Sequence, residues 1–200
     1  MACMRIDGRA TQKSSEPVFK AETCWTPFLQ NISQPPPNTS QWLHKPFILS
    51  KAIKGLGVRF GVNILSQEIT FPEEQERVYL CLEAKQRCMI RQVFLTGNDV
   101  PLVYGRVTIP VQTLEHQFPS FEELKQQPIG ETLLFNRSDM RRSPFEYACL
   151  HRSDPLFCFE PNELVTQTEW LWGRRSQFYL ANDPLMITEI FLPAIEQFSP

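Results

Sequence analysis

The stretch from Leu171 to Ala194, LWGRRSQFYLANDPLMITEIFLPA, constrains this chain more than any other. It reads as a β-hairpin. The first strand runs from about Arg174 to Leu180, and Asn182-Asp183-Pro184 supplies turn chemistry, since Asn and Asp bond their own backbone and Pro presets φ. The second strand runs from about Leu185 to Leu192. Side chains alternate across a strand, so one face carries Met186, Thr188, Ile190 and Leu192, and the other Leu185, Ile187, Glu189 and Phe191. Both faces are apolar, which predicts a strand covered on both sides. Glu189 is the exception. A carboxylate there costs several kcal/mol unless it is paired, protonated or used.

Two hundred residues suit one domain with a substantial core. The net charge of -2 and pI near 6 argue against a general nucleic-acid binder. No run approaches the 18 or so apolar residues of a membrane span. Residues 1–20 hold six charged residues and no apolar core, so they do not read as a signal peptide. We therefore expect a cytoplasmic protein with no stable membrane insertion. Cys3, Cys24, Cys81, Cys88, Cys149 and Cys158 form no C-x-x-C, and His44, His116 and His151 stand far apart. Metal-ligand spacing is missing, and the cysteines read as reduced thiols in or near a core.

Residues 1–41 read as a polar, proline-rich extension, with 1–18 disordered or loosely attached. The run NISQPPPNTSQ at 31–41 is expected to avoid regular helix, because three prolines remove donors. Residues 42–200 form the predicted domain. Apolar spacing predicts helix over 42–56, broken by Pro46, with Ser50 capping the second piece. Arg59–Leu65 alternates like a strand. Arg87–Leu95 and Leu102–Ile109 form a second hairpin around Thr96-Gly97-Asn98-Asp99. Gly105 within it suggests a bulge or a close approach. Ser120-Phe121-Glu122-Glu123 resembles a capping box, and a second helical piece runs from Ile129-Gly130 to Leu134. Residues 143–150 are ambiguous, since Ser143-Pro144-Phe145-Glu146 has a capping-box form while Phe145, Tyr147 and Cys149 alternate. They are assigned to strand because an antiparallel sheet needs one, and 151–168 read as an inserted loop. The pattern is α+β: a single domain with an antiparallel sheet of about six strands and short helices.

Two residues could carry chemistry. Glu189 is either a structural partner of Arg91, Arg106 or Arg174, or a group whose surroundings tune it for function. Arg91 shares its face with Met89, Val93 and Leu95, so it either snorkels to a rim or forks a substrate carboxylate. Of Arg174 and Arg175, adjacent on a strand, only one can face a given pocket. No nucleophile elbow, zinc helix, P-loop or dinucleotide fingerprint is present.

WGRRSQF followed by PLMITEIFLPA resembles chorismate pyruvate-lyase, the family that makes 4-hydroxybenzoate for ubiquinone. ILSKAIKGLG, IRQVFLTGNDVPLVYGRVTIPVQTL and QQPIGETLLF follow the family order, so the resemblance spans most of 45–195. It implies an antiparallel sheet with helical flaps closing over a buried ligand, chorismate as substrate, 4-hydroxybenzoate and pyruvate as products, and no cofactor or metal. It also implies site residues: Arg91 holding the ligand, Glu189 at the far end of the pocket, and Leu49 and Ile129 acting mainly through backbone N–H groups. A non-catalytic sensor of aromatic carboxylates is the alternative, because the fold is similar to the ligand-sensing domains of some bacterial regulators. Those carry an N-terminal DNA-binding domain, for which residues 1–41 are expected to be too short and too proline-rich.

Overall fold

A computed structural model describes residues 23–45, 48–151, 154–156 and 168–200. The 1–18 stretch, Pro46 and most of the expected 151–168 insertion lie outside the described residues. Seven strands form one antiparallel sheet: β1 (Phe60–Thr70), β2 (Cys88–Gly97), β3 (Val100–Pro110), β4 (Met140–Arg142), β5 (Glu146–His151), β6 (Trp170–Leu180) and β7 (Asp183–Phe191). Their order is β1-β2-β3-β7-β6-β4, and β5 pairs along the other half of β6. The expected α+β class stands, with one strand more than about six. The addition is β4, three residues too short to show a period.

Both hairpins sit where the turn residues place them. Asn98 and Asp99 both take positive φ, which suits a two-residue turn matching the strand twist, and both residue types tolerate it. The C-terminal turn is tighter than expected, since Leu180 pairs with Asp183 and the loop is Ala181-Asn182. β7 is buried on both faces as its apolar parity requires. Gly105 is no bulge. It pairs regularly with Val93 and Glu189, and a Cβ there would stand 3.3 Å from Val93 Cγ2.

The helices are α1 (Pro37–His44), α2 (Leu49–Gly55), α3 (Glu74–Tyr79) and α4 (Val111–Gln117). α1 corrects the expectation that 31–41 avoids helix. Pro37 stands at the first helical position, where its missing N–H is lost at no cost. The free N–H groups that follow are met from far along the chain. Glu196 Oε1 accepts from Asn38 N at 2.9 Å, and Oε2 from Thr39 N at 2.9 Å. No local residue announces that cap, so tertiary structure decides it. Ser50 does not cap α2 but lies inside it. α3 is opened by a reciprocal pair between Glu73 and Glu76. The Ser120 side chain makes no cap. The predicted helical pair over 121–134 is a 3-10 turn, Phe121–Leu124, and a π-helical turn, Gly130–Leu134.

The two sheet faces differ in chemistry. On one, α1, α2, α4 and the 121–134 turns cover a core built on Val93, Leu95, Val103, Val107, Phe178, Leu185 and Phe191. On the other, buried polar pairs interrupt the core. Glu76 accepts from Arg106 Nε and Nη2, each at 2.8 Å, and from Thr108 Oγ1 at 2.7 Å. Burial opposes the Glu76 charge, but Arg106 and Thr108 outweigh it and hold the carboxyl below its ordinary range. Arg106 is thus a structural partner. Cys88 is buried, while Cys24 and Cys81 are exposed, against the expectation of core thiols.

Candidate functional site

The covered face holds a cavity of about 80 Å³, several times what one water needs. Its floor comes from the sheet: Val93 and Leu95 of β2, Gly105 and Val107 of β3, Ile187 and Glu189 of β7, Arg174, Ser176 and Phe178 of β6. Its roof comes from Ile48, Leu49 and Ser50 at the start of α2, and from Gln127–Gly130. Registers explain the floor, because Gly105 stands opposite Val93 and Glu189, and Glu189 opposite Arg174. Gly130 is required in the roof. A Cβ there would lie 2.9 Å from Phe135 Cε2, and Phe135 packs edge-on to Phe178 at 5.9 Å. Lys54 of α2 donates to Glu131 at 3.0 Å, which ties the two halves of the roof together.

Three of the four residues singled out in the sequence line this cavity: Leu49, Ile129 and Glu189. Leu49 and Ile129 stand where helical turns begin, where main-chain N–H groups have no carbonyl of their own helix to bond. Glu189 is paired with Arg174, one of the three partners weighed for it. Arg174 Nε donates to Glu189 Oε2 at 2.5 Å. The same guanidinium donates through Nη1 to the carbonyls of Trp42 at 3.0 Å and Lys45 at 2.8 Å, closing the C-terminal end of α1. One buried arginine thus joins the carboxylate to the helix above it. Arg175 points to the opposite face, where it pairs with Glu146 at 2.7 Å.

Arg91 lies beside the cavity rather than on its wall. Only 2% of it is exposed. Nη1 donates to Gln67 Oε1 at 2.6 Å, and Nη2 to the carbonyls of Lys125 at 2.6 Å and Gln127 at 3.3 Å. Burial holds its pKa below the ordinary arginine value. The acceptors are all neutral, so among the described residues no carboxylate offsets this buried cation. It anchors the roof segment that ends at Ile129.

Reading the sequence missed Arg142, Phe145 and Ser176 as lining residues, and weighed Arg174 only as a partner for Glu189 and as one of an adjacent pair. Ser176 and Arg174 follow from parity, since both share a face with Phe178 on β6. Arg142 and Phe145 carry no such signal. The Arg142 guanidinium stacks on Phe145 at 4.4 Å, and Arg174 stacks on the same ring at 4.4 Å. Chemically, the cavity is an apolar slot with one carboxylate on its floor, guanidinium groups around it and backbone donors in its roof. That suits a small, flat, anionic molecule.

A family profile described as "Chorismate lyase" matches residues 20–199. The chain is 30% identical over 169 residues to a "Probable chorismate pyruvate-lyase" of Psychromonas ingrahamii, covering 82% of this chain and 87% of that one. It is 33% identical over 166 residues to a protein of the same name from Pseudoalteromonas atlantica, covering 81% and 83%. Among solved structures it is similar to PhnF from Mycobacterium smegmatis, with TM-score 0.50 and 11% identity over 76% of this chain and 66% of that one. It is also similar to the effector binding domain of the B. subtilis trehalose repressor, with TM-score 0.50 and 9% identity over 70% and 94%. At such identities these structures speak for the fold alone.

Proposed function

The chain belongs to the chorismate lyase family, and we propose that it converts chorismate to 4-hydroxybenzoate and pyruvate at the cavity beneath α2 and the 127–130 segment. The observation that carries this reading is the paired carboxylate, Glu189, on the floor of an otherwise apolar covered slot. The reaction breaks the C–O bond between ring and enolpyruvyl oxygen, removes one ring proton, and returns a proton to the enolpyruvyl methylene. Aromatisation drives it. The protein has to bind carboxylates, orient the ether and keep water out, and such positioning can supply a large part of the rate.

In this reading the ring carboxylate lies at the roof, near the N–H groups of Leu49 and Ile129 and the Arg91 guanidinium. Arg91 exchanges one of its neutral acceptors for the ligand, which also removes the cost of its unbalanced charge. Glu189 meets the ether and hydroxyl end, where it orients the ring and takes part in proton movement. Arg174 keeps Glu189 aimed through its hydrogen bond. No metal or organic cofactor enters the scheme. The enzyme acts as a cytoplasmic monomer and opens the route from chorismate to ubiquinone.

The test is direct. Purified protein is mixed with chorismate, and 4-hydroxybenzoate and pyruvate are followed by absorbance and chromatography. Equimolar appearance of both supports the reading. Tight binding of 4-hydroxybenzoate with no turnover would replace it with the sensor reading.

A further inference from the structure

Arg142 closes β4, opposite Phe178 of β6, and lines the cavity. Among the described residues its guanidinium makes no hydrogen bond and no ion pair, and it lies 4.4 Å over the Phe145 ring. Every other described arginine that is buried or half-buried, namely Arg77, Arg91, Arg106, Arg137, Arg174 and Arg175, donates to at least one acceptor. An arginine half out of water with five donors unspent is costly unless something else uses them. It lies close enough to Arg174 and Glu189 for both charges to act on it, Arg174 against its own charge and Glu189 in favour.

The charges around the cavity do not balance. Arg174 and Glu189 cancel as an ion pair. Arg91 and Arg142 remain, two cations that among the described residues pair with no carboxylate. Chorismate carries two carboxylates, whereas 4-hydroxybenzoate and pyruvate carry one each. We propose that Arg142 receives the enolpyruvyl carboxylate of the substrate. This deepens the reading under Proposed function and rests on it. Arg91 and the roof donors take the ring carboxylate, the ether falls beside Glu189, and the side chain of the ether extends toward Arg142. The fork of Arg142, 4.4 Å over the Phe145 ring, suits a bidentate carboxylate. Arg142 is then a specificity residue. It recognises the group that leaves and ignores the group that stays, so the site distinguishes substrate from its own aromatic product.

The experiment compares wild type, Arg142→Gln and Arg142→Lys in chorismate turnover and in calorimetric binding of 4-hydroxybenzoate, with melting temperatures recorded. Loss of one charge-assisted hydrogen-bonded contact predicts that kcat/KM for chorismate falls roughly 10–100-fold in Arg142→Gln. Most of that loss appears as a raised KM, with a smaller loss in Arg142→Lys. Affinity for 4-hydroxybenzoate stays within about twofold of wild type, since the lost contact is made to the enolpyruvyl group only. Equal losses for substrate and product in folded variants would overturn the proposal, by placing Arg142 at the ring carboxylate or in the cavity wall. Unchanged kcat/KM would also overturn it. Should Arg142→Gln fail to fold, Arg142→Lys carries the same comparison. A wild type that binds 4-hydroxybenzoate but never converts chorismate would instead refute the lyase reading on which this one stands.

Discussion

Replacing Glu189 by Gln tests catalysis and architecture together. The sequence alone suggests a nearly silent effect on folding, because Gln keeps the shape. The structure corrects that. Arg174 is 1% exposed, and Glu189 is the carboxylate that answers its charge. Removing one partner of a fully buried pair typically costs about 3–5 kcal/mol. Two features reduce the figure here. The Glu189 side chain keeps 19% of its surface exposed, and Arg174 retains main-chain acceptors on α1, while the Gln carbonyl can still accept from Nε. What remains is a poorly compensated buried cation, about 1–3 kcal/mol. For a domain of this size that corresponds to a fall in Tm of roughly 2–12 °C. Turnover should fall much further, by roughly 10²–10⁴, the range for a positioned acid or base. Affinity for 4-hydroxybenzoate should fall far less, because the roof donors remain. The measurements are steady-state conversion of chorismate, calorimetric melting and product titration on one preparation. Full turnover in a folded variant would sink the proton-transfer role. An unchanged Tm would show that the Arg174 pair contributes nothing net to the fold.

Further outcomes follow from the same geometry. Arg91→Lys keeps the charge but cannot reach Gln67 and the roof carbonyls together, so 4-hydroxybenzoate binding should weaken by roughly 1–3 kcal/mol; unchanged calorimetric affinity would remove Arg91 from the site. Glu76 has its pKa held below the unfolded value of 4.5. Its contribution is therefore present above that value and lost as pH falls through the lower folded one. Below pH 4.5 the wild type should lose stability in urea titrations more steeply than Glu76→Gln, and parallel curves would refute the linkage. Burial pushes the Cys88 thiol up to about 12, so at pH 8 a thiol reagent followed by mass spectrometry should label Cys24 and Cys81 well before Cys88. Early labelling of Cys88 would show that the core on that face opens readily.

The parts of this molecule legible from sequence are those where local pattern and final environment agree. β7 alternates with two apolar faces, and it is buried on both. Asn98 and Asp99 are turn residues by type, and they adopt positive φ. The cavity residues Leu49, Ile129 and Glu189 were reachable through family motifs, and parity alone put Glu189 on the face of Ile187. The parts that escaped depend on partners far away. α1 begins inside a proline run because Glu196 supplies the acceptors that no neighbour offers. β4 is too short for periodicity, so Arg142 could not be assigned a face before its pairing with β6 was known.

Arg174 and Arg175 show how a local rule becomes a functional division. Adjacent residues on one strand must face opposite ways, so a pair of arginines places one cation in each layer of the protein. On the reverse face Arg175 joins Glu146 and lies over the Tyr79 ring, beside the Glu76–Arg106 pair, in a layer that is polar and structural. On the covered face Arg174 meets Glu189 and grips α1. The carboxylate, the end of α1 and the strand floor therefore share one guanidinium. Arg174 thus links Glu189 to the end of α1, and a ligand that draws on Glu189 competes with Arg174 for it. Arg91 repeats the design at the other end, since its Nη2 holds the carbonyls that lead into Ile129. In both cases a cation inherited from a sheet position couples the floor of the site to its cover.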